Sequence, residues 1–315
     1  ALFRFPFWEN TMDMGSIANL HLAFNIACTA LLLPFHRQLV KLVKAVVPGD
    51  AEERELSVLD DRFLSSPSLA LERAHDAVVQ MSEFARDNYR LAVELIWKFD
   101  AKKLERLNET EVALDKLEGL LDNYLVKLTD RALTAEESTR VSELLHTLSD
   151  FERIGDHALN LQESAKELHE KQLAFSPIAR EEVDVLTSLL EDLLNSALRS
   201  FQSDDPQMAR QVEPLEETMD LLTEEIRSRH IRRLQSGQCT IQLGFILNDL
   251  LNNAERVGDH CSNIAVSVIE EQEKQAASHA YLHSLKKNDE FSFQLQQNLS
   301  RYVLPAETAE DQPAE

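Results

Sequence analysis

Glycine and proline are scarce in this chain, 7 and 9 residues of 315. Turn-rich sheet proteins draw on both, and with Leu, Ala and Glu abundant the shortage points to an all-helical protein. Cysteine is rarer still. Cys28, Cys239 and Cys261 are widely spaced and form no CxxC pair, which argues against a disulfide framework or a cysteine zinc site and fits packed thiols in a reducing compartment. Positive charge is also short, 32 Lys and Arg against 55 Asp and Glu, for a formal net charge of −23. A nucleic-acid backbone would be repelled and no basic stripe offsets that, so partners should be cationic, apolar or metallic. Catalytic signatures are missing as well: no Gly-rich phosphate loop, and no Ser/His/Asp or Cys/His spacing. The chain therefore reads as a non-enzyme. Its length suffices for two domains, or two repeats with cores of their own.

What the chain does have, it has twice. Residues 150–160 read D-F-E-R-I-G-D-H-A-L-N and residues 253–263 read N-A-E-R-V-G-D-H-C-S-N, identical at six of eleven positions. The identities are mostly polar, so shared core hydrophobicity does not explain them, and the match is an internal repeat. Asp259 follows Asp156 by 103 residues, room for about three helices and their loops. Glu152 and Asp156 are four apart, as are Glu255 and Asp259, so each pair lies on one helix face a turn apart. Like charges so placed repel by a few tenths of a kcal/mol. Arg153 and Arg256, about 100° round the helix, neutralise only part of that face. A solvated acidic face and a bound cation both fit one such pair.

The pattern is not single. Glu111-V-A-L-Asp115 precedes the first motif and Glu216-E-T-M-Asp220 the second, 105 residues apart. If the two ExxxD helices of each repeat pack antiparallel with the pairs facing, four carboxylates converge, and such a site needs protons or hard metal ions. The repetition favours metal. Di-iron bundles also array acids on helices, but through Glu-x-x-His at i,i+3, and neither motif contains that spacing.

The repeated E-R-[I/V]-G-D-H-x-x-N with a companion ExxxD helix resembles the PhoU domain. The resemblance covers roughly residues 65 to 275 and implies an all-α tandem pair of three-helix bundles linked to bacterial phosphate homeostasis. It also implies multinuclear metal binding, with iron, zinc or another divalent cation, at Glu111, Asp115, Glu152 and Asp156 in one half and Glu216, Asp220, Glu255 and Asp259 in the other. Asp150, His157, Asn160, Asn253, His260 and Asn263 are expected as outer groups that support those ligands. Of these, His157 and His260 point about 100° from the neighbouring Asp and are expected as packed or supporting side chains. Asn160 and Asn263 continue the i,i+4 series from Asp156 and Asp259 and are placed to orient a carboxylate. Gly155 and Gly258 cost up to about 1 kcal/mol each inside a helix, for which close contact between helices is the expected reason.

Upstream the character changes. The sequence starts at Ala1 and is expected to begin inside a longer protein. Residues 1–8 are apolar and aromatic with Arg4 the one charge, and residues 17–35 form a 19-residue run without formal charge, close to the roughly 20 that cross a hydrocarbon core. A signal peptide would need a basic start, where Glu9 and Asp13 stand instead; a buried soluble helix is the other alternative. Asn19, His21 and Asn25 would be costly facing lipid, so a spanning helix here would belong to a larger bundle. His36, Arg37, Lys41 and Lys44 follow, placing that end in the cytoplasm, and residues 37–47 fit an interfacial helix. I-A-N-L-H-L-A-F-N followed by L-L-L-P-F resembles the last membrane helix of the bacterial sodium/phosphate cotransporter family. That family's Gln-Ser-Ser runs are absent, so no phosphate or sodium ligand is assigned.

The expected layout is the end of a membrane domain at 1–48, a linker at 49–66, the PhoU-like part at 67–275 (repeats 67–172 and 176–275), and a C-terminal extension at 276–315. Thr134 to Glu137 forms a capping box and Ser176-Pro177 a helix start; residues from Pro305 onward have the composition of a disordered tail. The resemblances together imply sodium-dependent inorganic phosphate transport, with this chain supplying the last membrane helix and a cytoplasmic, metal-binding regulatory domain. The partners implied are inorganic phosphate, Na+ as coupling ion and the inner membrane, with a homodimer left open. A membrane-tethered adaptor regulating a separate transporter is the alternative, and a metal-storing or catalytic carboxylate bundle the third.

Overall fold

The computed structural model describes residues 14–32, 59–273 and 289–306. Every regular element among the described residues is helical. The chain divides into two compact units, 1–57 and 58–315.

The first unit contributes helix α1, Met14–Leu32. Leu20, Leu22, Phe24, Ile26 and Leu31 on it are 59–68% exposed. No helix among the described residues is long and apolar enough to cross a membrane, so the transmembrane helix expected at 17–35 is left without support. Asn19, His21 and Asn25 interrupt its apolar run. Residues 33–35, the interfacial helix expected at 37–47 and most of the linker expected at 49–66 lie outside the described residues.

The second unit is a tandem of antiparallel bundles. The first comprises α2 (Pro67–Trp97), α3 (Ala101–Thr129) and α4 (Ala135–Glu170). Each start has a local cause: Pro67 occupies the first turn, where a missing N–H costs nothing; the Asp100 carboxylate accepts from the Lys102 N–H; and Thr134 with Glu137 closes a reciprocal capping box. The second bundle comprises α5 (Pro177–Ser203), a short α6 (Pro206–Ala209), α7 (Val212–Gln235) and α8 (Ile241–Glu273). Pro214 sits in the first turn of α7, which settles how that helix begins. It ends where Gly237 takes φ 75°, with the Gly237 and Gln238 N–H groups returning to the carbonyls of Leu234 and Arg233.

One core runs through both bundles. Leu107, Leu114, Leu121, Leu125 and Leu128 on α3 are fully buried at spacings of 7, 7, 4 and 3 residues, the stripe of a helix packed on one side. Leu189, Leu190, Leu193, Met219, Val257 and Ile264 do the same in the second bundle. Helix α4 packs against α2 and also against α8, and α2 meets α5, so the motif helices α4 and α8 form the seam between repeats.

Both flanks fold back onto the bundles. Leu64, within a 3-10 turn at Asp61–Ser65, is 2% exposed, and Lys127 of α3 binds Asp61; this end of the expected linker is part of the core. After the second bundle, α9 (Asp289–Arg301) packs on α7. Tyr302 is buried and donates to Asp192, and Arg229 donates to the Pro305 carbonyl at 2.6 Å.

Candidate functional site

The two ExxxD pairs of the first repeat face each other across α3 and α4. Gly155 makes this possible: a Cβ there would lie 3.0 Å from Leu114 Cδ1 and 3.4 Å from Glu111 Oε2. Glu111 is 6% exposed and accepts a hydrogen bond of 3.1 Å from Asn88 Nδ2 on α2. Burial, then Asp115, push its carboxyl up to about 7, with Asp156 and Glu152 adding smaller repulsions against the lowering effect of Asn88. Glu152 is likewise pushed up to about 7, by burial first, then by Asp156 and Glu118, and by a hydrogen bond with Asp156. Glu118 is raised by burial and by Asp115, Asp122 and Asp156. All four expected residues thus share one electrostatic neighbourhood, joined by Glu118 and Asp122, and the crowding tells most on Glu111 and Glu152.

The second repeat brings α7 and α8 together at Gly258. Glu216 on α7 is 8% exposed, and its Cγ lies 3.8 Å from where a Gly258 Cβ would stand. Arg227 of α7 donates to Glu255 at 3.0 Å and to Asn252 at 3.2 Å, and Arg256 lies 3.5 Å from Asp259. Glu213, one turn before Glu216, accepts from Ser262 at 2.7 Å. As they stand, no three His, Cys, Asp or Glu side chains among the described residues are grouped to hold a metal ion.

The expected outer groups form something else: a reciprocal contact across the seam. His157 Nδ1 is 2.8 Å from Asn253 Oδ1, and Asn160 Nδ2 donates to the same oxygen at 3.3 Å. The other copy repeats this, His260 Nδ1 lying 2.9 Å and Asn263 Nδ2 3.3 Å from Asp150 Oδ1. Both oxygens only accept, so each imidazole carries its proton on Nδ1. The rings lie 5.8 Å apart. Each histidine therefore holds the opposite repeat rather than the carboxylate beside it, and Asn263 orients Asp150 rather than Asp259. Burial lowers the His157 pKa.

Asn88, Glu118 and Arg227 belong to these sites and escape the motif. Glu118 and Asp122 carry a weak signal, continuing the series from Glu111 and Asp115 at spacings of three and four. Asn88, 0% exposed in the apolar face of α2, was legible only as a polar residue where the period calls for an apolar one.

Comparison with known proteins agrees with this architecture. The model of the PhoU domain matches residues 78–165 and 183–268. The chain is 24% identical to "Phosphate-specific transport system accessory protein PhoU homolog 1" of Thermotoga maritima, over 69% of the chain and 87% of that protein. It is 23% identical to "Putative inorganic phosphate export protein YjbB" of Salmonella typhimurium over 81% of the chain, and spans 48% of that protein's length. The fold resembles the crystal structure of PhoU from Pseudomonas aeruginosa, with TM-score 0.60 over 65% of this chain and 98% of the other at 23% identity.

Proposed function

The chain belongs to the PhoU family, and from that premise we propose that it regulates phosphate transport, its paired bundles answering to divalent cations and acting on a membrane transporter. Members of this family are regulatory accessory proteins, not enzymes. The observation that carries the reading is the duplicated carboxylate arrangement inside two matched PhoU domains: a buried and a half-buried acid of one repeat crowd with their neighbours, which pushes the Glu111 and Glu152 carboxyls up to about 7. The donor type fits a hard cation, being carboxylate oxygen throughout, with Glu111 buried, Glu152 half-buried and Asp115 and Asp156 exposed. Glu111, Asp115, Glu152 and Asp156 would hold it in the first repeat, and Glu216, Asp220, Glu255 and Asp259 are the corresponding set in the second. A cation would supply positive charge in place of protons, drawing α3 and α4 together through carboxylates that otherwise repel.

The transporter is proposed to be sodium-coupled and to share this polypeptide, with the bundles on its cytoplasmic side. Supporting this are the exposed apolar side chains of α1, the basic residues that follow it, and a longer relative, spanned here over 48% of its length, whose name concerns phosphate export. A second reading, an adaptor acting on a separate transporter, is favoured by relatives that are accessory proteins matched over most of their length. Sodium-dependent movement of labelled phosphate, measured in cells with the native gene and with residues 59–315 deleted from it, tests the proposal. Altered phosphate flux supports it; unchanged flux and unchanged sodium dependence reject regulation by this unit.

A further inference from the structure

We propose that the two carboxylate sites are unequal: the first repeat is open to a divalent cation from solution, whereas the second carries its own counter-charge, the guanidinium of Arg227. The inference deepens the cation reading of the first cluster and rests on it. Aligning Glu111 and Asp115 with Glu216 and Asp220 sets Glu118 against Thr223 and Asp122 against Arg227. One face of α3 thus presents Glu111, Asp115, Glu118 and Asp122, all acidic, and the same face of α7 presents Glu216, Asp220, Thr223 and Arg227.

The structure shows the consequence on the facing helix. Glu255 of α8 accepts from Arg227 at 3.0 Å, and Asp259 lies 3.5 Å from Arg256. Their counterparts Glu152 and Asp156 turn to each other, with Glu118 adding repulsion. Arg227 is one-third exposed and also held by Asn252 at 3.2 Å, so a cation arriving at Glu255 must first displace an ion pair.

An independent difference lies on the first helix of each bundle. Asn88 on α2, 0% exposed, gives its amide N–H to Glu111 while its Oδ1 has no hydrogen-bond partner. A buried amide oxygen left without a donor costs about 1–3 kcal/mol, and amide oxygens join carboxylates around hard cations. At the same 105-residue offset the second repeat has Leu193, whose Cδ2 lies 3.6 Å from the Gly258 Cβ position. The first site is walled by an amide and the second by a leucine.

Titration of the full chain with Mn2+, followed by electron paramagnetic resonance, tests the inequality. One tight class of site is expected, weakened at least tenfold by Glu111→Gln with Glu152→Gln and unchanged by Glu216→Gln with Glu255→Gln. Arg227→Asp, the residue of the first repeat, should create a second tight class; Arg227→Gln, a milder change, should strengthen the weak one. Two equal classes in the native chain, or loss of the tight class on changing the second repeat, overturn the inequality while leaving the cation reading standing. No bound Mn2+ in any variant overturns both.

Discussion

Gly155 and Gly258 occupy the same place in the two motif copies, yet alanine at each should act in opposite directions. A helical glycine gives up about 1 kcal/mol relative to alanine, so both substitutions begin with that gain. At position 258 a Cβ would meet Leu193, Glu216 and Met219 at 3.6, 3.8 and 3.9 Å, ordinary contact, and most of the gain survives. At position 155 it would meet Leu114 Cδ1 at 3.0 Å and Glu111 Oε2 at 3.4 Å. Leu114 is fully buried and has nowhere to retreat, and overpacking of that kind costs about 1–3 kcal/mol. Gly258→Ala should therefore stabilise by about 0.5–1 kcal/mol and Gly155→Ala destabilise by up to about 2 kcal/mol. Urea midpoints of the full chain at fixed pH measure both, at an unchanged denaturant slope. Equal or greater stability for Gly155→Ala than for Gly258→Ala would refute the close approach of α3 and α4 at Glu111, and with it the geometry of the first cluster.

Other perturbations follow from the same contacts. Glu111 and Glu152 bind protons up to about pH 7 in the folded chain against an ordinary value of 4.5; the folded state holds more protons through that window, so stability should fall as pH rises from about 4.5 to 7 and level off above. Glu111→Gln should flatten the fall, which denaturation at several pH values without divalent cation will show. Glu182 and Arg233 form a buried two-bonded pair at 3.0 and 2.6 Å, at positions where the first repeat has Ala77 and Leu128. Glu182→Ala alone should cost about 3–5 kcal/mol by stranding the arginine, and adding Arg233→Leu should recover most of it in a double-mutant cycle. Asp150→Asn replaces the carboxylate that His260 holds across the seam with the group found in the other copy, and should cost about 1 kcal/mol in urea denaturation, the difference between a charged and a neutral acceptor.

Much of the second unit is legible in the sequence because its signals are local. The capping box at Thr134, the proline at 67 and the serine-proline at 176 mark helix starts, and the ExxxD spacing fixes which carboxylates share a face. That α3 and α4 bring Glu111, Asp115, Glu152 and Asp156 into one neighbourhood follows from antiparallel packing of faces chosen by their leucines. The seam was not legible. His157 and Asn253 lie 96 residues apart, and helical periodicity carries no information about which outward-facing polar group meets which. Arg227 was hidden for a related reason: it stands seven residues beyond Asp220, outside the motif, and its meaning appears only when α7 and α8 are set side by side. The apolar run at residues 17–35 shows the reverse case, where composition suggested a membrane span and the described helix, with its asparagines and histidine, does not sustain one by itself.

Phosphate movement in cells carrying the native gene or Glu111→Gln with Glu152→Gln tests the account most directly, because these changes leave both carboxylate shapes and the fold in place while removing the charge. Labelled phosphate flux, followed over a range of external Mn2+ with sodium present and absent, should respond to the cation in native cells and lose that response in the variant. A variant whose flux and cation response match the native protein would contradict the claim that the first carboxylate cluster links cations to phosphate transport.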